Sequence, residues 1–415
     1  MYGKNYYCCK QGIERLKMKL LFLLLDMPAS DKSGDMYVSL AEEFLRNGHE
    51  VSIMAPDVAH RSSFIGHERG LRVIRVRSKE TQGVKSMYKK GLALATLEIY
   101  FKEAYQKFLK DERFDWVIMP TPPITLSGFA SYVKRKSHAK FYLILRDIHP
   151  QSVWSIGLLH NRVEYWFLDR KARTGYTVAD IIGCMSQGNI DFIKNQYPGL
   201  KMGEGVLLYN WVIEPPQTEL DTTIRSRCGI EGKFVALFGG NLGKGQRIEN
   251  IAYLAEHYLS NPEIVFLIVA KGVEKDRLQK IAEEKKLVNI RFVNFMPQKD
   301  YLNLIKSVDL GLVSINESYR VPTCPSKAVS YMAAGVPILA MINPGSDYGQ
   351  IIEDSGAGYW SVGSDKERTV ELFDKICNDS ELRQRMSRSG KAFYKKNCTV
   401  EVAYSTMVEQ MKSFR

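Results

Sequence analysis

Two stretches of this 415-residue chain put a lysine beside backbone groups able to hold an anion. LFGGNLGKGQ (237–246) sets a cluster of glycines and Lys244 between an apolar strand pattern and a helical one. A glycine loop opening a helix presents unpartnered backbone N–H groups, which attract phosphate. The loop is neither G-x-x-x-x-G-K-[ST] nor G-x-G-x-x-G, so neither a P-loop nor the usual dinucleotide fingerprint applies. A plain tight turn is the alternative. PTCPSKAVSYMAAGVPILA (322–340) reads as a helix started by Pro325 and Ser326, stopped by Gly335 and followed by a short buried strand. Lys327 then falls in the first turn, where a cation opposes the macrodipole. A solvated lysine tolerates that position, whereas a bound anion explains it. Both lysines follow buried strands in the same half of the chain, so together they would grip a diphosphate from two sides.

Metal chemistry finds no signature: no D-x-D pattern and no His/Cys cluster at ligand spacing occurs. The charge of a bound diphosphate would then fall to backbone N–H groups, Lys244 and Lys327. The seven cysteines are scattered, as in a reducing compartment rather than a disulfide framework. The formal net charge of +12 is uneven. Residues 1–205 hold 31 Lys+Arg against 21 Asp+Glu, leaving 27 against 25 in the remainder. An anionic partner is therefore expected on the first half.

Strand and helix patterns alternate throughout. KLLFLLLD, EVSIMAP, LRVIRVR, FDWVIMP, KFYLILRD and ADIIGCMS read as strands of a first unit, mostly of the continuous apolar kind. GVLLYNWV leads into a polar segment (215–233) that reads as a linker. The pattern restarts with KFVALFGGNLG, IVFLIVAKG, NIRFVNF and LGLVSI. Two successive βα units predict an α/β protein of two Rossmann-like domains facing a cleft. Their expected bounds are 1–205 and 206–395, with a C-terminal helix over 396–415 packing back on the first. Residues 1–25 resemble a short signal peptide, but Asp26 ends the run without a small-residue cleavage site. Lys19–Asp26 is read instead as the first strand, and Met18 as a candidate start. No run approaches the roughly 20 apolar residues that span a bilayer.

GHEVSIMAP, LLYNWV, GNLGKGQ and PSKAVSYMAAGVPILA, in that order along the chain, resemble the family 4 glycosyltransferases of the GT-B fold. The likeness is greatest to the branch that builds bacterial surface polysaccharides (capsule, O-antigen, exopolysaccharide). The resemblance implies transfer of a hexosyl or N-acetylhexosaminyl group from a nucleotide sugar to an acceptor, usually with retention. The nucleotide sugar would be a co-substrate, with no other cofactor and no metal. Carried over by position, Gly240, Asn241 and Lys244 would face the donor diphosphate, as would Ser326 and Lys327. Tyr331 would lie in the ribose and phosphate region, and Met296 near the base. Ser330 and Pro322 stand where many members carry glutamates to ribose and sugar, so the donor's identity is left open. LRDIHPQSVW (145–154) matches a strand-end motif of the same branch. There His149 would hydrogen-bond the transferred sugar, while Asp147 would assist the acceptor hydroxyl or cap the turn. Lys32, Ser33 and Gly34, in the first βα loop, would meet an acceptor phosphate, or else form only a loop with a capping Ser or Asp.

The stretch 84–110 is helical by pattern and mixes lysines with Met, Tyr, Leu and Phe. It suits an anionic membrane surface, or else an amphipathic domain helix with a solvated basic face. The implied acceptor is a polyprenyl-diphosphate-linked saccharide, handled in the cytoplasm at the inner face of the membrane. A nucleotide-sugar 2-epimerase of the same fold and a non-catalytic nucleotide-sugar or membrane binder are the alternatives. A nucleic-acid partner is disfavoured because aromatic and basic residues form no readable module.

Overall fold

Eight strands form the first sheet: β1 (Lys19–Leu23), β2 (Glu50–Asp57), β3 (Phe64–Glu68), β4 (Leu71–Arg77), β5 (Trp116–Pro120), β6 (Lys140–Leu145), β7 (Ile181–Cys184) and β8 (Glu204–Leu207). Six more form the second: β9 (Phe234–Asn241), β10 (Ile264–Lys271), β11 (Ile290–Val293), β12 (Leu310–Ser314), β13 (Ile338–Ile342) and β14 (Gly358–Val362). The computed structural model describes residues 17–27, 35–79, 87–159, 161–214, 223–294, 296 and 298–414. Lys32, Ser33 and Gly34 therefore lie outside the described residues.

The spatial orders are β3-β4-β2-β1-β5-β6-β7-β8 and β11-β10-β9-β12-β13-β14. Every described pairing is parallel except β3 with β4. Parallel strands covered on both faces need apolar residues at every position, and β5, β12 and β13 are buried throughout. Strand β3 escapes the apolar-run pattern because it is an edge strand whose residues alternate between half-buried and exposed. The left-handed pair Arg69 and Gly70 (φ 54° and 78°) turns it back onto β4. In each sheet the strand order reverses beside a central strand, between β1 and β5 and between β9 and β12. Ligands of open α/β sheets bind outside the strand ends at such points.

The segment read as a linker is partly domain core. Ile224 and Ile230 are buried among residues of β9, β10 and β12, and Arg225 donates to the carbonyls of Ser307 and Lys233. A polar composition hid two anchoring isoleucines. The final helix, Val400–Lys412, packs its Ala403, Met407 and Met411 with β1, β2 and the helix Met36–Arg46. Tyr404 Oη lies 3.0 Å from His49 Nε2, and Tyr142 Oη donates to Gln410 Oε1 at 2.6 Å.

The basic helix falls at Met87–Phe108. Over its second half Leu97, Phe101, Ala104 and Tyr105 are buried in the first domain's core. Its apolar side is occupied there, which corrects the membrane-surface reading for that half. No helix among the described residues is long and apolar enough to cross a membrane.

Candidate active site in the interdomain cleft

The glycine loop leaves the carboxyl end of β9. Gly240 has φ +106°, a conformation that L side chains rarely adopt. Gly239 is required for clearance instead, because a Cβ there would lie 1.8 Å from Tyr301 Oη. Asn241 and Lys244 are exposed, and the Lys244 carbonyl accepts from Asn316 Nδ2 at 3.3 Å. The helix Ser326–Ala334 begins after Pro325, which supplies no side-chain cap, and its first turn carries no acid. Gly335 ends it at φ +73°.

Loop and helix meet at one side chain. Lys327 Nζ donates to Gln246 Oε1 at 2.9 Å and lies 3.6 Å from the ring centroid of Phe238. Burial holds its ammonium far below the usual lysine range, at about 7. Its neighbours are thus an amide and an aromatic face. Phe238 and Gln246 were not legible as neighbours of Lys327: one looks like core and the other like loop.

Tyr331 is placed differently from the expectation. Its side chain is fully buried beneath the loop, with Oη accepting from Gly239 N at 3.2 Å and donating to Leu237 O at 3.1 Å. It braces the end of β9 rather than facing the cleft, because its ring packs into the space left by Gly311. Met296 is partly buried against the second domain's core.

Across the cleft, Asp147 and His149 follow β6. His149 Nδ1 pairs with Ser152 Oγ at 2.7 Å, fixing the ring. The Asp147 backbone is anchored through Thr121 Oγ1, which accepts from the N–H groups of Arg146 (2.9 Å) and Asp147 (3.3 Å). Its carboxyl is raised from the ordinary value by burial, opposed by His149 and Arg146. Arg146 is buried, donates to Leu208 O at 2.9 Å and stacks 4.6 Å from the Trp211 centroid. It thereby ties β6 to the interdomain crossing. Tyr319 completes the cleft from the second domain. Burial first, and the Asp147 carboxylate second, push its hydroxyl up to about 12. A Cβ on Gly245 would lie 2.4 Å from that hydroxyl. Tyr319 thus stands between the glycine loop and Asp147.

A clasp holds the two domains beside this site. Asp347 accepts from Ser186 Oγ and from Gly188 N, each at 2.7 Å. Asn189 Nδ2 donates to Pro322 O at 3.0 Å and Asn210 Nδ2 to Cys324 O at 2.8 Å. Among the described residues no group of three or more His, Cys, Asp or Glu side chains is placed to hold a metal ion.

Residues 221–393 match the model of the glycosyl transferases group 1. That match covers the second domain. The chain is 27% identical over 269 residues to WbjE of Pseudomonas aeruginosa, named a probable glycosyltransferase, covering 64% of this chain and 66% of WbjE. It is 28% identical over 250 residues to WcaI of Escherichia coli (strain K12), named for colanic acid biosynthesis, covering 58% and 60%. The matched region thus spans somewhat less than two thirds of these curated relatives. The solved structure of HepE from Anabaena, in complex with UDP and glucose, superposes at a TM-score of 0.66 with 14% identity, covering 95% of this chain and all of that one (100%). Two sheets facing a cleft, joined by a returning C-terminal helix, form the GT-B fold.

Proposed function

We propose that the protein is a glycosyltransferase of bacterial polysaccharide biosynthesis, moving a sugar from a nucleotide-sugar donor to a growing, lipid-linked saccharide. The observation that carries this reading is the Lys327–Gln246 contact, which joins the glycine loop to a helix N-terminus around an ammonium without a carboxylate. A donor diphosphate supplies the missing negative charge. In this reading Gly240 and Asn241, with Ser326 and Lys244, face the same diphosphate. As the sugar departs, charge grows on the diphosphate, and fixed donors stabilise that charge without reorganising. Asp147 and His149, on the acceptor side, serve the transferred sugar and the incoming hydroxyl. Met296 lies toward the base. Retention of configuration, independence from metal ions and work at the inner face of the cytoplasmic membrane belong to the same reading.

The test is a panel of nucleotide sugars incubated with purified protein, scoring nucleoside diphosphate release with and without bacterial lipid-linked acceptor. Acceptor-dependent release that Lys327→Ala removes supports the reading. Failure of every nucleotide sugar to bind or turn over sinks it.

A further inference from the structure

Beyond His149 the chain turns into a second feature that the donor site leaves unused. A cavity of ≈ 460 Å³ opens there, lined by Gln151, Trp154, Arg162, Tyr165, Phe192 and Arg320 among others. Its size is that of a small-molecule site. Arg320 comes from the second domain and the other five from the first, so the cavity spans the cleft. The lining carries two guanidinium groups and no carboxylate. Three aromatic walls offer flat apolar faces, and Trp154 and Tyr165 hold each other edge to face at 5.3 Å.

The helix Arg162–Val178 has two sides at this place. Arg162 and Tyr165, three residues apart, line the cavity. Val163, Trp166, Phe167 and Arg170 fall on the neighbouring stripe, and Val163 and Trp166 are 73% and 59% exposed. The Arg170 guanidinium lies 5.7 Å from the Trp166 centroid. Exposed Trp and Val set among arginines suit an anionic head group with an apolar tail, since indole and guanidinium both favour such an interface.

We propose that the cavity is the subsite for the phosphate-linked end of the acceptor, with the lipid chain leaving across Val163 and Trp166. Arg162 and Arg320 hold the phosphate groups from the two domains, and Trp154, Tyr165 and Phe192 flank the sugar joined to them. Gln151 lies two residues beyond His149, so a sugar held here reaches toward Asp147. Because Arg320 belongs to the second domain, an occupied cavity also favours the closed cleft. This inference rests on the glycosyltransferase reading given above.

The experiment uses the full chain with its donor site saturated by UDP, titrated with farnesyl diphosphate and, separately, with inorganic diphosphate. The wild type binds farnesyl diphosphate saturably, and the Arg162→Gln/Arg320→Gln variant binds it at least about tenfold more weakly, two charge-assisted contacts being lost. Trp166→Ser leaves inorganic diphosphate binding unchanged and removes the preference for the farnesyl form. All variants retain wild-type UDP affinity and melting temperature, since the substituted side chains are exposed. Wild-type UDP binding with no saturable farnesyl diphosphate binding overturns the inference, as does equal binding by wild type and double variant. Absence of UDP binding itself instead defeats the glycosyltransferase reading.

Discussion

Lys327 Nζ stands 3.6 Å from the ring centroid of Phe238, the residue immediately before the glycine pair near the end of β9. A cation over an aromatic face is attracted by the ring quadrupole, which partly offsets its lost hydration. The offset is incomplete, because the ammonium is held at about 7. On the proposed reading, an arriving diphosphate would restore the charge that burial suppresses.

The first prediction follows from that linkage. With its free-state value near 7, Lys327 is about half protonated at neutral pH, and a bound diphosphate raises its affinity for the proton. UDP binding therefore takes up a proton at pH 7–8, and affinity falls by up to about tenfold per pH unit above 7. Below 7 this contribution is constant. Calorimetry in buffers of different ionisation enthalpy reads the uptake directly. Lys327→Met abolishes it and weakens UDP. For the ligand-free fold the sign is opposite to that of a paired lysine. The depressed value costs stability fully below pH 7, and the cost fades between 7 and the unfolded value near 10.5. Denaturation of Lys327→Met against wild type should therefore show the largest gain for the variant below pH 7.

A second prediction concerns Tyr331. Its hydroxyl ties Leu237 O and Gly239 N, so Tyr331→Phe leaves two buried backbone groups short of a partner. The expected loss is about 1–3 kcal/mol in unfolding free energy. Because Gly240 hangs from that strand end, UDP affinity should fall as well, without change in the proton uptake assigned to Lys327. Unchanged stability in urea titration would show that the hydroxyl is not the brace.

The third concerns the clasp. The Asp347 carboxylate caps the helix starting at Gln187, from the other domain, through Ser186 Oγ and Gly188 N. An anion at a helix N-terminus is favourable, and removing it strands donors. Asp347→Ala should lower stability by roughly 1–2 kcal/mol and widen the distribution of domain separations measured by small-angle scattering. Gly188→Ala tests the same contact sterically, since a Cβ there would meet the Asp347 carboxylate at 2.6 Å. It should reproduce the scattering change while leaving every polar group in place.

What the sequence disclosed was whatever is written in period and punctuation. Continuous apolar runs announced the parallel strands, and Gly335 announced the end of its helix. The glycine loop and Lys327 were legible because glycine and a misplaced charge are local anomalies. Edge strand β3 was not legible, since five half-exposed residues carry no apolar run. Nor was Phe238, whose partner is 89 positions away and whose own pattern is that of any core strand. Tyr331 was legible as important but not in its role, because its direction depends on the hole that Gly311 leaves beneath it. Asp347 and Arg320 lie in polar loops, and only the closing of one domain on the other gives them meaning.

The fourth prediction separates chemistry from binding. Asp147 and His149 follow β6, in the first domain. Asp147→Asn and His149→Asn should keep UDP affinity within about twofold while turnover with acceptor falls by about 10²–10⁴, the usual range for a lost proton-transfer group. The carboxyl of Asp147 is raised by burial, so the acid limb of the wild-type profile should lie above the ordinary carboxylate value. A group of raised value that works as the carboxylate loses activity as pH falls through it, and Asp147→Asn should flatten that limb. Ser152→Ala removes the 2.7 Å partner of His149 Nδ1. It should lower turnover less than His149→Asn, with the substrate concentration dependence unchanged. A profile in which Asp147→Asn keeps the acid limb would assign the proton to another group, and loss of UDP binding in either Asn variant would make these residues structural.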